Sequence, residues 1–167
     1  MSTIGFDTSN YTTSTAWTDG KTDINVRQIL YVKDGERGIR QSDGVFQHMK
    51  LMPVMYEKLS EQIDFKDVKA VGVSTRPRCV EGSYMPVFLA GEGYAKVVAD
   101  TLGVPLYEFS HQDGHIMAGI YSSGSFELLE NDFISVPLSG GTTEILKSRY
   151  NEFNFDNEII GGSKDIS

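Results

Sequence analysis

A single cysteine, Cys79, leaves no partner for an internal disulfide in this 167-residue chain, so packing and hydrogen bonds must hold the fold, and the usage fits a reducing compartment. No run approaches the roughly 20 apolar residues of a membrane-spanning helix, and the opening Met1-Ser2-Thr3-Ile4-Gly5-Phe6-Asp7 reads as a strand rather than a cleaved leader. Positive charge is scarce. Fifteen Lys and Arg against 23 Asp and Glu give a net charge of −8, which argues against a broad nucleic-acid-binding face on this chain by itself, although a local basic patch or a basic partner can supply one. These absences describe a cytoplasmic soluble protein with no membrane partner. The 40% hydrophobic content is enough to bury a core in one compact domain, or one and a half.

Taken in order, residues 3–9 and 12–18 read as strands, Asp19-Gly20 marks a hairpin turn, and residues 26–33 read as a third strand, together an antiparallel meander. The tip Asp7-Thr8-Ser9-Asn10 offers a carboxylate, hydroxyls and turn amides; it holds a phosphate in some proteins and is a plain Asx-turn in most. Residues 35–43 read as a polar loop. From Val45, the apolar positions Phe46, Met49, Met52, Met55, Tyr56, Leu59 and Ile63 predict an amphipathic helix, kinked or restarted at Pro53, with His48 structural or exposed. A β-branched run over residues 68–74 predicts a buried strand. It feeds the loop Thr75-Arg76-Pro77-Arg78-Cys79, whose two arginines lie where open α/β sheets place ligands; they contact an anion there or pair with surface acids. Residues 86–102 predict a helix stopped by Gly103, and Pro105 opens a further strand.

That strand delivers His111-Gln112-Asp113-Gly114-His115 at the head of a helix. Two imidazoles four residues apart share a helix face about 6 Å along the axis, close enough for one divalent metal. The bland alternative is two surface histidines. Asp113 points elsewhere, to orient an imidazole, carry out acid/base work or cap the helix. After Ser122-Ser123-Gly124-Ser125, residues 133–138, 142–149 and 153–160 read as three more strands, with a second glycine- and hydroxyl-bearing tip at Ser139-Gly140-Gly141-Thr142-Thr143 where backbone amides approach a phosphate or acyl group, or simply make a hairpin.

The summed pattern, β-β-β-α-β-α-β-α and then three strands, is the layout of the ribonuclease-H-like, actin-like ATPase lobe followed by the opening of a second, homologous lobe. The expected division is residues 1–130 for the first lobe and 131–167 for the start of the second, whose helices are not reached; the chain reads as a truncated piece.

Together, IGFDTS, VEGSYMPVFLAGEGYAKVVADTLGVPLYEFSHQDGH, LSGGTTE and the final GGS-K-D resemble the universal tRNA threonylcarbamoyladenosine synthase family, formerly labelled glycoprotease or O-sialoglycoprotein endopeptidase, over its amino-terminal half. The resemblance implies an acyltransferase that moves a threonylcarbamoyl group from threonylcarbamoyl adenylate to adenosine in tRNA. It implies that His111 and His115 hold iron or zinc, that Pro137, Leu138, Ser139, Gly140 and Gly141 form the substrate-binding strand and loop, and that Asp7, Thr8 and Ser9 face the phosphates of ATP or the adenylate. Asp113 is the candidate catalytic residue. It also implies a complex that brings tRNA, a paralogous actin-like partner and a carboxyl-terminal lobe not contained here, without which the chain is catalytically incomplete.

Three departures from the family pattern stand out. Asp113 replaces the usual glutamate, Arg76-Pro77-Arg78 replaces glycine-proline-glycine, and SGGTTE replaces SGGHTQ, putting Thr142 and Glu144 where histidine and glutamine are usual. They point to a divergent branch or paralogue, and Arg76 and Arg78 are candidate anion contacts. The alternative reading is a non-catalytic paralogue acting as a dimerisation or scaffold partner. A metalloprotease is disfavoured, because HQDGH lacks the glutamate that HExxH proteases carry directly after the first histidine.

Overall fold

The computed structural model of the chain describes residues 1–36, 38–138 and 142–164. They form two compact units, Met1–Pro77 with Tyr84–Phe109, and Arg78–Ser83 with the residues from Ser110 onward.

In the first unit the chain runs β1 (Ser2–Asp7), β2 (Thr12–Thr18), β3 (Asp23–Ile29), α1 (Gln41–Ser60), β4 (Val68–Arg76), α2 (Phe88–Leu102) and β5 (Leu106–Ser110). The sheet order is β3-β2-β1-β4-β5, with β1–β2 and β2–β3 antiparallel and β1–β4 parallel. Alternation in β1 buries Ile4 and Phe6 on one face; register sets them opposite Trp17 and Thr15 of β2 and beside Val71 and Val73 of β4. Met52 and Leu59 of α1 and Ala95 and Ala99 of α2 pack into this layer, which forms the core. The first hairpin is closed by Asp19, whose carboxylate accepts the amides of Lys21 and Thr22, while Gly20 takes φ +85°. Gly103 ends α2 at φ +66°, the left-handed cap its sequence position predicts.

Helix α1 departs from the expected stripe. It starts at Gln41 and buries Gly44, His48, Met52, Met55 and Leu59, whereas Phe46 and Met49 are 65% and 48% exposed. The inner face is chosen by its partners. A Cβ on Gly44 would stand 2.8 Å from Val87 Cγ1, so the glycine permits close packing, and His48 finds a hydrogen-bond partner in Thr13. Pro53 lies inside an unbroken helix, and β3 ends at Ile29 rather than at residue 33.

The second unit contains α3 (His111–Ser123), β6 (Phe133–Ser135), β7 (Thr142–Asn151) and β8 (Asn154–Lys164), the strands forming an antiparallel sheet in the order β6-β7-β8. Ile116 and Ile120, one turn apart on α3, pack with Leu146 of β7 and Phe155 of β8. Through that contact α3 shares its core with these strands and belongs to the same compact unit.

Thr8 joins β1 to α2. Its hydroxyl donates to Val87 O at 2.8 Å and accepts the Gly91 amide at 3.0 Å, inserting itself into what would be the first i→i−4 hydrogen bond of the helix. A Cβ on Gly91 would stand 2.8 Å from Thr8 Oγ1. Gly91→Ala is therefore expected to destabilise the chain by about 1–3 kcal/mol despite alanine's better helix propensity, and by less in a Thr8→Ala background, as read from urea midpoints.

Candidate functional site

Helix α3 opens with a capping box. Ser110 Oγ accepts the Asp113 amide at 3.1 Å, and Asp113 Oδ2 accepts the Ser110 amide at 3.3 Å. The other carboxylate oxygen, Oδ1, accepts from Asn157 Nδ2 of β8 at 3.2 Å, and Asp113 is 3% exposed. Of the three roles open to Asp113 in the sequence, the structure shows the cap. Both carboxylate oxygens accept hydrogen bonds that hold the turn.

With the turn fixed, the two imidazoles converge. His111 Nε2 and His115 Nε2 are 2.9 Å apart, with ring centroids at 4.4 Å and planes at 79°. In this form one ring donates and the other accepts. Two nitrogens each bound at about 2.0–2.1 Å to one zinc ion lie about 2.9–3.4 Å apart for angles of about 90–110°, so the observed separation suits a shared ion once the hydrogen bond between the rings is given up and both lone pairs turn towards one point. The donor set suits a borderline metal such as zinc or iron(II). It is a partial set: among the described residues no group of three or more His, Cys, Asp or Glu could hold a metal ion.

His115 also borders a hollow of about 250 Å³ whose lining includes Ile116, Ser123, Phe133, Ser135 and Pro137. The structure thus brings together two residues the sequence singled out separately, His115 and Pro137. Leu138 is 77% exposed and bridges to Thr143, while Ser139, Gly140 and Gly141 lie outside the described residues.

Glu144 on β7, noted in the sequence only as a departure from the family pattern, has partners that sequence reasoning did not foresee. Its Oε1 lies 2.8 Å from Arg78 Nη1 and its Oε2 accepts from Gln112 Nε2 at 3.2 Å. The Arg78 guanidinium thus pairs with a mostly buried carboxylate of the same chain. Arg76 donates to Thr75 Oγ1 at 3.2 Å, and exposed Cys79 sits in the same loop.

The tip in the first unit divides. Asp7 Oδ1 accepts the Ser9 amide at 2.7 Å in an Asx-turn, and both residues are half-buried. Thr8, expected to face phosphate, is fully buried and spends its hydroxyl on Val87 and Gly91. No helix among the described residues is long and apolar enough to cross a membrane.

The strand order, the meander followed by helix–strand alternation, and the second three-stranded sheet define an actin-like ATPase fold, which YeaZ from Pseudomonas aeruginosa shares with a TM-score of 0.54 at 11% identity over 98% of this chain and 66% of that one. Within that class the sequence is decisive. The family model for tRNA N6-adenosine threonylcarbamoyltransferase matches residues 35–164, and the chain belongs to that family. The enzyme of that name from Christiangramia forsetii is 32% identical over 117 residues, 69% of this chain and 32% of the relative. The one from Pyrobaculum calidifontis is 28% identical over 169 aligned positions, 98% of this chain and 47% of the relative. The chain thus spans between about a third and half the length of these relatives.

Beneath the Asp7 tip, His48 is fully buried, with Nδ1 2.8 Å from Thr13 Oγ1 and Nε2 without a hydrogen-bond partner among the described residues. Burial lowers its pKa from 6.5 to about 4, against the opposing pull of the Asp7 charge. The native state keeps this ring neutral while an unfolded chain protonates it below pH 6.5. Stability from this source is whole above that value and falls as pH drops from 6.5 to about 4, by about 3 kcal/mol in all. Urea titrations across this window are expected to show the loss in the parent chain and a flatter profile in His48→Gln.

Proposed function

We propose that the chain is the histidine-bearing part of an acyltransferase that passes a threonylcarbamoyl group from threonylcarbamoyl adenylate to adenosine in tRNA, in the cytoplasm. The observation that carries this reading is the 2.9 Å approach of His111 Nε2 and His115 Nε2 on one face of α3, within a family defined by that reaction. His111 and His115 would hold a divalent ion, iron or zinc, each through Nε2 with Nδ1 protonated. A metal bound there supplies Lewis-acid polarisation of the acyl carbonyl.

The chain's own residues do the rest. The capping box and the Asp113–Asn157 bond fix the turn, so both rings keep their convergence without a large ordering cost. The hollow between His115 and Pro137 is open to the apolar part of a small acyl group, with the hydroxyls of Ser123 and Ser135 at its wall. Pro137, Leu138, Ser139, Gly140 and Gly141 are proposed to line the acyl group, the two glycine amides donating to its carbonyl oxygen. Asp7 and Ser9 are proposed to face the phosphates of ATP or the adenylate. Two imidazoles make half of a tetrahedral set, so tight metal binding and turnover are assigned to the assembly in which further ligands and a paralogous actin-like subunit join this chain with tRNA.

A second reading, a non-catalytic scaffold subunit, is favoured by the apolar exposure of the second unit, where Ile134, Ile159 and Ile160 are 57%, 56% and 53% exposed. Metal analysis distinguishes the two. One equivalent of bound zinc or iron, lost in both His111→Ala and His115→Ala and released as acid protonates the ligands, supports the transferase reading. The scaffold reading is supported by partner binding that persists in those variants with no metal in the parent. Threonylcarbamoylation of a tRNA anticodon stem-loop by the isolated chain, at rates like those of full-length relatives, would contradict the assignment of turnover to the assembly.

A further inference from the structure

Two positions that depart from the family pattern, Arg78 and Glu144, hold each other. Glu144 is the hub. Its side chain is 14% exposed, and each oxygen has a different partner: Arg78 Nη1 at 2.8 Å and Gln112 Nε2 at 3.2 Å. Alternation along β7 sets Glu144 on the face that carries buried Leu146 and Ser148, towards α3. On α3, Gln112, Ile116 and Ile120 follow at intervals of four, so Gln112 meets Glu144 at the head of the same stripe by which the helix packs on the sheet. Gln112 is also the residue directly after His111. On the loop side, the Arg78 amide donates to Ser83 Oγ at 3.0 Å, closing residues 78–83 into a short turn behind the guanidinium.

We infer that Arg78, Glu144 and Gln112 form a charge-paired strap that positions the first turn of α3, and with it the His111–His115 pair, and that Arg78 and Glu144 work as one exchangeable unit. The physical reason lies in the cost of separating them. A mostly buried carboxylate without its guanidinium must draw in water or leave the sheet face, and either course releases Gln112. Changing both positions together leaves no uncompensated charge, and a glutamine at position 144 can still accept from Gln112. These residues are positioning residues, and the consequence for metal binding rests on the function proposed above.

Amide hydrogen exchange on the metal-free chain tests the strap without that assumption. Glu144→Ala is expected to speed exchange in residues 78–83 and 111–115 by about fivefold or more while the strands of the first unit keep their rates. Glu144→Gln is expected to loosen residues 78–83 but largely spare 111–115. The swap of Arg78→Glu with Glu144→Arg should recover more than half of the protection lost in the single changes, the amide of Gln112 turning to present its oxygen. Unchanged exchange at 111–115 in Glu144→Ala, or a swap whose effect is the sum of its two singles, would overturn the inference. Cobalt(II) titration then reads the consequence: weaker binding and an altered visible spectrum in Glu144→Ala, both restored by the swap. If the parent chain takes up no cobalt even in large excess, the metal reading fails while the exchange result still decides the strap. If the parent binds and Glu144→Ala matches it in affinity and spectrum, the strap does not position the histidines.

Discussion

The closure of one helical turn sets the geometry of the histidine pair in the second unit. Ser110 and Asp113 exchange hydrogen bonds before the body of α3 begins, and the buried Asp113 carboxylate is tied again to Asn157 of β8. Because side chains four residues apart on a helix stand one above the other, fixing this turn brings His111 Nε2 and His115 Nε2 to 2.9 Å. A loose first turn would let the imidazoles sample several rotamers, and any ion bound there would have to order them. The position between the histidines thus contributes stiffness to the site, and its shorter acid is well suited to the cap, since an aspartate at the third helical position reaches back to the amide of Ser110.

The same economy recurs in the first unit. Thr8, the middle residue of a tip with the look of a phosphate loop, is drawn inward to relay a helix hydrogen bond between Gly91 and Val87. Gly91 and Gly44 owe their places to close approach, one to a hydroxyl and the other to a valine methyl. The tip then presents only the residues on either side of Thr8, and behind it a neutral histidine fills the sheet–helix space where most chains put an aliphatic group.

Much of this was legible in the sequence. The order of elements followed from hydrophobic periodicity and from turn residues such as Asp19, Gly20 and Gly103, because these act locally. The histidine pair was legible for the same reason: an i, i+4 spacing fixes geometry within a single turn. What lay beyond reach depended on partners distant along the chain. The inner face of α1 includes Gly44 and His48, which the apolar periodicity does not mark, because Val87 and Thr13 select them. Assignment of α3 to the second unit follows from Ile116 and Ile120 meeting Leu146 and Phe155, which the helix's own pattern does not encode. Arg78 and Glu144, 66 residues apart, each looked like an isolated oddity until the fold placed them in contact. The family itself emerged from the ordered motifs, and the match over residues 35–164 bears it out.

The proposed chemistry requires both imidazoles to act together on one ion. The chain has three histidines, and His48 serves as a buried internal reference, so long-range proton–nitrogen spectra of the ring nitrogens resolve the question directly. On titration with zinc, the Nε2 resonances of His111 and His115 should move together along one single-site binding curve while both Nδ1 remain protonated and His48 is unmoved. A response confined to one ring, binding through Nδ1, or two rings saturating at different zinc ratios would contradict it.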